Sequence, residues 1–236
     1  MVQINQAQRE LSLKVVYYGP ALSGKTTNLM ALHERVTSDV RGRLLCVDTK
    51  DDRTLFFDML PVYFRTSGDL KVKIKLYTVP GQVMHASTRR LVLQGADGVA
   101  FIADAQRSAT QANNDAWRNM VEDLRANGLD AGEVPIVIQF NKMDLQDARS
   151  AQEITEVASK GKEPVFQSIA VRGEGVVETL HGLLQLTFRD LDRKFGLRGK
   201  FRLSEEEFLG AIFRNLDVRG AQLSPVAKTA ASAAGR

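Results

Sequence analysis

The chain has 236 residues, 44% of them apolar and 25% charged, with a net charge of +4. That length holds one α/β domain with a sizeable core plus extensions, and the excess charge is scattered Lys and Arg with no basic run, which argues against nucleic-acid binding. Cys46 is the single cysteine, and His33, His85 and His181 are far apart, so neither a disulfide framework nor a Cys/His metal cluster is expected. No run is long and apolar enough to span a bilayer, and the ends carry neither a Met-Gly acylation signal nor a prenylation cysteine. The expectation is a cytoplasmic protein without a covalent membrane anchor.

In chain order, residues 2–10 are polar with slight alternation and read as an edge strand or a frayed start. Leu11 to Tyr18 is rich in β-branched and aromatic residues and reads as a strand. Gly19-Pro-Ala-Leu-Ser-Gly24-Lys25-Thr26 follows, the pattern G-x-x-x-x-G-K-[ST] of a phosphate-binding loop. Its glycines let backbone N–H groups wrap a phosphate chain; Lys25 adds a point charge and the Thr26 hydroxyl is a ligand for Mg²⁺. Thr26 to Val36 has helical apolar spacing, so strand, loop and helix stand in the order that also offers a helix N-terminus to the anion.

Gly42 to Asp48 reads as a second strand, and Thr49 to Asp58 begins polar and ends apolar. Leu70 to Tyr77 alternates strictly, which predicts an exposed or edge strand, antiparallel to a neighbour. After the break at Thr78-Val-Pro-Gly81-Gln82, a helix is expected over 83–94. Gly98–Asp104 is a buried strand, 108–127 a helix containing Trp117, and Val134–Phe140 another buried strand. A short helix over 151–160, a strand over 165–170 and a helix over 176–195 complete the alternation. That order predicts an α/β fold with a doubly wound, mostly parallel sheet over residues 1–195, with ligands at the carboxyl ends of strands.

Residues 196–218 differ. Gly196 to Lys200 reads as a joint, and Ser204-Glu-Glu-Glu207 opens a capping box. Phe208, Leu209, Ile212, Phe213 and Leu216 then line one helical face, which either docks on its own core or serves a partner or a membrane surface. The Ala-, Ser- and Gly-rich tail 219–236 has the composition of a disordered segment.

Asn141-Lys142-Met143-Asp144 follows a buried strand. The Asp144 carboxylate is suited to accept from the guanine N1–H and 2-amino group together, whereas adenine would leave it unpaired. Asn141 is suited to bond the base edge and tie this loop to the phosphate loop, and the Lys142 stem to cover the base.

These motifs carry a resemblance. Val16-Tyr-Tyr-Gly-Pro20, Arg53-Thr54-Leu-Phe-Phe-Asp58, Leu76-Tyr-Thr-Val-Pro-Gly-Gln82 and Asn141-Lys-Met-Asp144 make residues 3–195 resemble the Ras-like small GTPases, and within them the bacterial MglA type. Most Ras-like proteins have an Asp where this chain has Thr78, as MglA-type proteins do. The resemblance implies a Rossmann-like P-loop domain, GTP and GDP as ligands, Mg²⁺ and γ-phosphate hydrolysis. It assigns Gly19, Ala21, Leu22, Ser23, Gly24, Lys25, Thr26 and Thr27 to the phosphates, with Gly81 contacting the γ-phosphate. Thr26 and Thr54 would meet Mg²⁺, Gln82 would orient the attacking water, and Arg53 would act as an internal arginine finger. Asn141, Lys142 and Asp144 would read guanine, with Ser168, Ile169 and Ala170 covering it. Ala21 replaces the Gly usual in the wider Ras pattern. Asp58 is a candidate to replace the missing carboxylate at the metal, or has a surface or capping role. The implied partners are a Roadblock-fold homodimer of the MglB type as activator and effectors of cell polarity or gliding motility, with recruitment to a cell pole. A guanine-nucleotide scaffold with negligible hydrolysis is the alternative; an ATP-dependent kinase is disfavoured by Asp144.

Overall fold

The computed structural model describes residues 2–47, 57–81 and 85–216. Its strands are β1 (Gln3–Asn5), β2 (Glu10–Tyr18), β3 (Leu45–Val47), β4 (Phe57–Arg65), β5 (Lys71–Thr78), β6 (Gly98–Asp104), β7 (Ile136–Asn141) and β8 (Val165–Ser168). They form one sheet in the order β3-β4-β5-β2-β6-β7-β8. The pairings from β5 through β2 and β6 to β8 are parallel, and β3/β4 and β4/β5 are antiparallel. β1 adds antiparallel to the first residues of β2, on the stretch of edge that β6 leaves open. The helices are α1 (Lys25–Arg35), α2 (Ala86–Leu93), α3 (Thr110–Ala126), α4 (Ala151–Ser159), α5 (Val176–Phe195), α6 (Leu197–Phe201) and α7 (Glu205–Phe213).

The side-chain period of two along β2 divides the interior into layers. Val15 and Tyr17 join Leu29 and Leu32 of α1 and Leu180 to Phe188 of α5, while Val16 and Tyr18 join Leu93 of α2 and Met120 and Leu124 of α3. Both faces of β2 are therefore covered, as the doubly wound reading expects. Its carboxyl end opens between β5 and β6, at the crevice where such sheets bind ligands.

Several elements depart from the expectations. β5 alternates because one face packs on the core and the other carries lysines, yet it lies between β4 and β2 and is no edge. β4 carries no clean strand signal, because Pro61 stands mid-run and argues against a central strand. The fold tolerates it: Tyr63 N, two residues on and facing the same way, donates to Val40 O in the neighbouring loop, so Pro61 lacks its N–H on the side away from β5. The joint after Gly196 is helical, with Leu197 and Phe201 buried. The tail 219–236 lies outside the described residues.

The apolar face of α7 docks on its own chain. Phe208 is fully buried, stacked on Phe188 of α5 (centroids 5.0 Å) and edge-on to Phe64 of β4 (6.1 Å). Ser204 Oγ accepts from Glu207 N (3.0 Å), but only half of the capping box forms. The Glu207 carboxylate instead accepts from Ser67 Oγ and Gly68 N in the turn after β4. Arg189 of α5 donates twice to Glu205 (2.8 Å each), and Leu216 bridges to Val36 at the end of α1. Phe208→Ala should therefore cost about 3–5 kcal/mol of stability, read as a lowered denaturation midpoint with an unchanged slope. A loss below about 1 kcal/mol would mean that α7 is not part of the cooperative core.

Candidate functional site

The phosphate loop leaves the carboxyl end of β2 and enters α1 at Lys25. Gly24 has φ +96°, a conformation that L side chains rarely adopt, and a Cβ there would overlap Asn141 Nδ2. Leu22 is left-handed as well (φ +61°), and its side chain stands 89% exposed at the crest beside the exposed Ala21. Non-glycine residues held this way cluster at ligand clamps. Ser23 Oγ is buried inside the loop and has no hydrogen-bond partner among the described residues. Lys25 Nζ donates to Gly19 O (3.0 Å) and Pro20 O (2.6 Å). Burial pushes its pKa down to about 8; the Asp58 carboxylate opposes that shift and the Arg89 charge adds to it. Gly81 meets the loop from β5: a Cβ on it would overlap the Ala21 backbone, so only glycine allows this approach.

Asn141, the last residue of β7, joins three segments. Its Nδ2 donates to Ser23 O (2.9 Å), and its Oδ1 accepts from Ser168 Oγ (3.0 Å) and Ala170 N (2.9 Å). The 168–170 loop thus lies against the Asn141–Asp144 loop, and Met143 N donates to Ser168 O (3.2 Å). Ile169 closes the loop back on Glu174 through N–H donation (3.0 Å). Lys142 has φ +69°, and its Nζ is anchored on Asp104 Oδ2 (2.6 Å), which fixes the direction of its stem. Asp144 is an exposed residue whose side chain is 23% exposed and pairs loosely with Arg172 (3.8 Å).

The side of the loop at Thr26 is built from oxygen atoms. Asp58 Oδ2 accepts from Thr26 Oγ1 (2.6 Å) and Thr78 Oγ1 (3.0 Å), while Asp58 N donates to Thr78 Oγ1 (2.9 Å). A carboxylate thus reaches the Thr26 hydroxyl from β4, with Thr78 steadying it. One carboxylate beside a hydroxyl fits Mg²⁺, which binds few protein oxygens and takes its remaining ligands from water and phosphate. Among the described residues no group of three His, Cys, Asp or Glu side chains could form an all-protein cage. Arg53, Thr54 and Gln82 lie outside the described residues.

One buried network behind the loop has no counterpart in the sequence reading. Asn28 and Gln139 exchange amide hydrogen bonds (2.9 and 3.0 Å), and Gln139 also donates to Thr179 Oγ1 (2.7 Å). The available signal was Gln139 inside the apolar run of β7; Asn28, after Thr26 and Thr27, and Thr179, after Glu178, interrupt no apolar run.

A phosphate loop at the central strand of a doubly wound sheet, with an N-K-x-D loop tied to it through the Asn side chain, is the architecture of a small GTPase. Residues 1–187 match the ADP-ribosylation factor family. The chain is 40% identical over 190 residues to "Mutual gliding-motility protein MglA" of Myxococcus xanthus (strain DK1622), covering 80% of this chain and 97% of that protein. It is 25% identical over 183 residues to "Ras-related protein Rab-27B" of Rattus norvegicus, covering 77% of this chain and 82% of that one. The chain belongs to the Arf/Ras-like small GTPases, and within them to the MglA type. The family is one of guanine-nucleotide switches that bind GTP and GDP with Mg²⁺. α6 and α7 lie beyond the family match.

Lys25 yields a pH prediction. Its folded pKa lies below the ordinary 10.5, so its charge destabilises the nucleotide-free fold below about pH 8 and that cost lifts as pH rises toward 10.5. Phosphates favour the ammonium, so binding nucleotide above about pH 8 should take up a proton at Lys25. Calorimetry at about pH 8.5 in buffers of different ionisation enthalpy should show proton uptake in the native chain beyond that of Lys25→Met. Equal uptake would remove Lys25 from the phosphate site.

Proposed function

We propose that this chain is a switch that hydrolyses GTP to GDP and phosphate, and that controls polarity or motility through partners sensitive to its nucleotide state. The observation that carries the reading is the convergence of the phosphate loop, Gly81 and the Asn141–Asp144 loop at the carboxyl ends of the strands. Asp144 accepts from guanine N1–H and the 2-amino group, Lys142 covers the base with its stem, and Ser168 to Ala170 close over it. Loop amides and Lys25 hold the phosphates. Mg²⁺, when bound, neutralises charge on the phosphate oxygens. Thr26 and Thr54 are its hydroxyl ligands, and Asp58 supplies from β4 the carboxylate that Thr78 lacks. Gln82 orients the attacking water, and Arg53, directly before Thr54, closes with the first switch and stabilises charge in the transition state. The partners are a Roadblock-fold dimer of the MglB type, which clamps the switches without lending an arginine, and effectors recruited to a cell pole. A second reading, a scaffold with negligible hydrolysis, is favoured by Ala21 beside Gly81 and by Thr78.

Single-turnover hydrolysis at saturating activator separates the two. Arg53→Ala and Gln82→Ala should each keep GTP affinity within about tenfold and remove most stimulated hydrolysis. A native chain that holds GTP unhydrolysed would favour the scaffold, and equal competition by ATP would sink the base assignment. Asp58→Asn should weaken Mg²⁺-dependent nucleotide retention about tenfold or more in a chelator chase, and Thr78→Asp in that background should restore part of it. Unchanged retention in Asp58→Asn would leave Asp58 a mere capping group.

A further inference from the structure

α2 and α3 meet at a charge cluster, with Asp123 and Arg89 buried and Arg90 half-exposed, that the hydrolysis scheme above does not use. Asp123 of α3 is 2% exposed and accepts three charge-assisted hydrogen bonds. Arg90 Nε reaches Oδ1 (2.9 Å), while Arg89 Nε (3.0 Å) and Tyr18 Oη (2.9 Å) share Oδ2. Arg89 is 4% exposed. Tyr18 is the last residue of β2 and directly precedes Gly19. One carboxylate therefore joins the base of the phosphate loop to the helix that begins just after Gln82.

Stability alone does not account for the cluster. Its surroundings are apolar, with Val92 and Leu93 on α2 and Met120 and Leu124 on α3. Desolvating such a pair costs several kcal/mol per ion, and well-packed apolar residues in its place are commonly as stable or more so. Directed hydrogen bonds from two adjacent arginines instead set the rotation and height of α2, which apolar contact alone would let slide. Gly81 itself lies against the Ala21 backbone. Arg89 also lies close enough to Lys25 for its charge to act on that ammonium.

We propose that Tyr18, Arg89, Arg90 and Asp123 are positioning residues that fix α2 against the phosphate loop, so that Gln82 is delivered to the reacting phosphate. This rests on the hydrolytic reading above. Misplacing a catalytic group by about 1 Å costs on the order of 10²-fold in rate.

Tyr18→Phe and Asp123→Asn are compared with the native chain. Affinity for a non-hydrolysable GTP analogue should stay within about threefold, while the single-turnover rate falls about tenfold or more. In a Gln82→Ala background Asp123→Asn should add no further loss, because it acts through Gln82. The apolar triple variant Tyr18→Phe/Arg89→Met/Asp123→Leu, which leaves no buried hydroxyl without its Asp123 partner, should regain melting temperature without regaining rate. Additive losses with Gln82→Ala, or recovery of rate together with stability, would overturn the proposal and leave the cluster structural. Amide exchange over residues 86–93 in the analogue-bound state reads α2 without any hydrolysis. Faster exchange there in Asp123→Asn, with the rest of α3 unchanged, supports the proposal; unchanged exchange overturns it. A native chain that never hydrolyses GTP would defeat the hydrolytic reading instead, and the exchange result would still decide whether the cluster places α2.

Discussion

The side chain of Asn141 holds two recognition surfaces at one spacing. A nucleotide joins base to phosphates covalently, so the loops that meet its two ends need a fixed separation. The carboxamide sets it with both of its ends: the nitrogen holds the phosphate loop at Ser23, and the oxygen holds the 168–170 loop. Aspartate would turn an acceptor toward the Ser23 carbonyl, leaving two oxygens facing each other in a buried site. Gln139 stands two residues earlier on the same face of β7 and grips Asn28 of α1. One strand thus fixes both the phosphate loop and the helix that follows it, and the close fit of Gly24 against Asn141 follows from that grip.

The antiparallel half of the sheet connects more distant parts. β4 carries Asp58 near its first residue, beside Thr26. The turn beyond its other end is held by Glu207, and Phe64 near that end packs on Phe208. α7 lies beyond the stretch that matches the family, yet it is built into the same core as β4, α1 and α5. Any displacement of β4 along its length would disturb this packing, so the extension adds resistance to motion at the strand that brings Asp58 to the phosphate loop.

Much of this architecture was legible because it is written in local patterns. The phosphate loop, the strand before it and the helix after it share periodicity and composition that a single reading recovers, and α5 spans the residues expected of it. The N-K-x-D loop was legible for the same reason. What escaped depends on partners distant in sequence. β4 was hidden by Pro61, whose missing N–H matters only once its pairing side is known. β5 read as an exposed or edge strand with an antiparallel neighbour; its half-exposed lysine face and pairing with β4 agree, but alternation reports only one covered face and cannot exclude a second hydrogen-bonded neighbour, here β2. Glu207 occupies a capping-box position but bonds Ser67, an exchange of partners that no local rule encodes. No local pattern marks Arg89 as an interior residue, because Asp123, which neutralises it there, is contributed by another helix.

On the proposed reading, Thr78 marks a motif that loses a residue while the fold keeps the charge. Taken alone, threonine at that position removes the carboxylate that most relatives place beside the metal. In three dimensions Asp58 brings a carboxylate from the adjacent antiparallel strand to the Thr26 hydroxyl, and Thr78 holds it by accepting from its backbone N–H and donating to its oxygen. Aspartate at both positions would set two anions against each other and raise the pKa of one of them, so the hydroxyl is the compatible companion of Asp58. The transfer has a mechanical consequence on the proposed reading. A carboxylate on β5 would stay with the second switch, whereas Asp58 stands on β4, a few residues after Arg53 and Thr54. Charge at the metal, the threonine that closes on it and the arginine that acts on the transferred phosphate then lie on one short stretch of chain. Whatever shifts that stretch engages or withdraws them together.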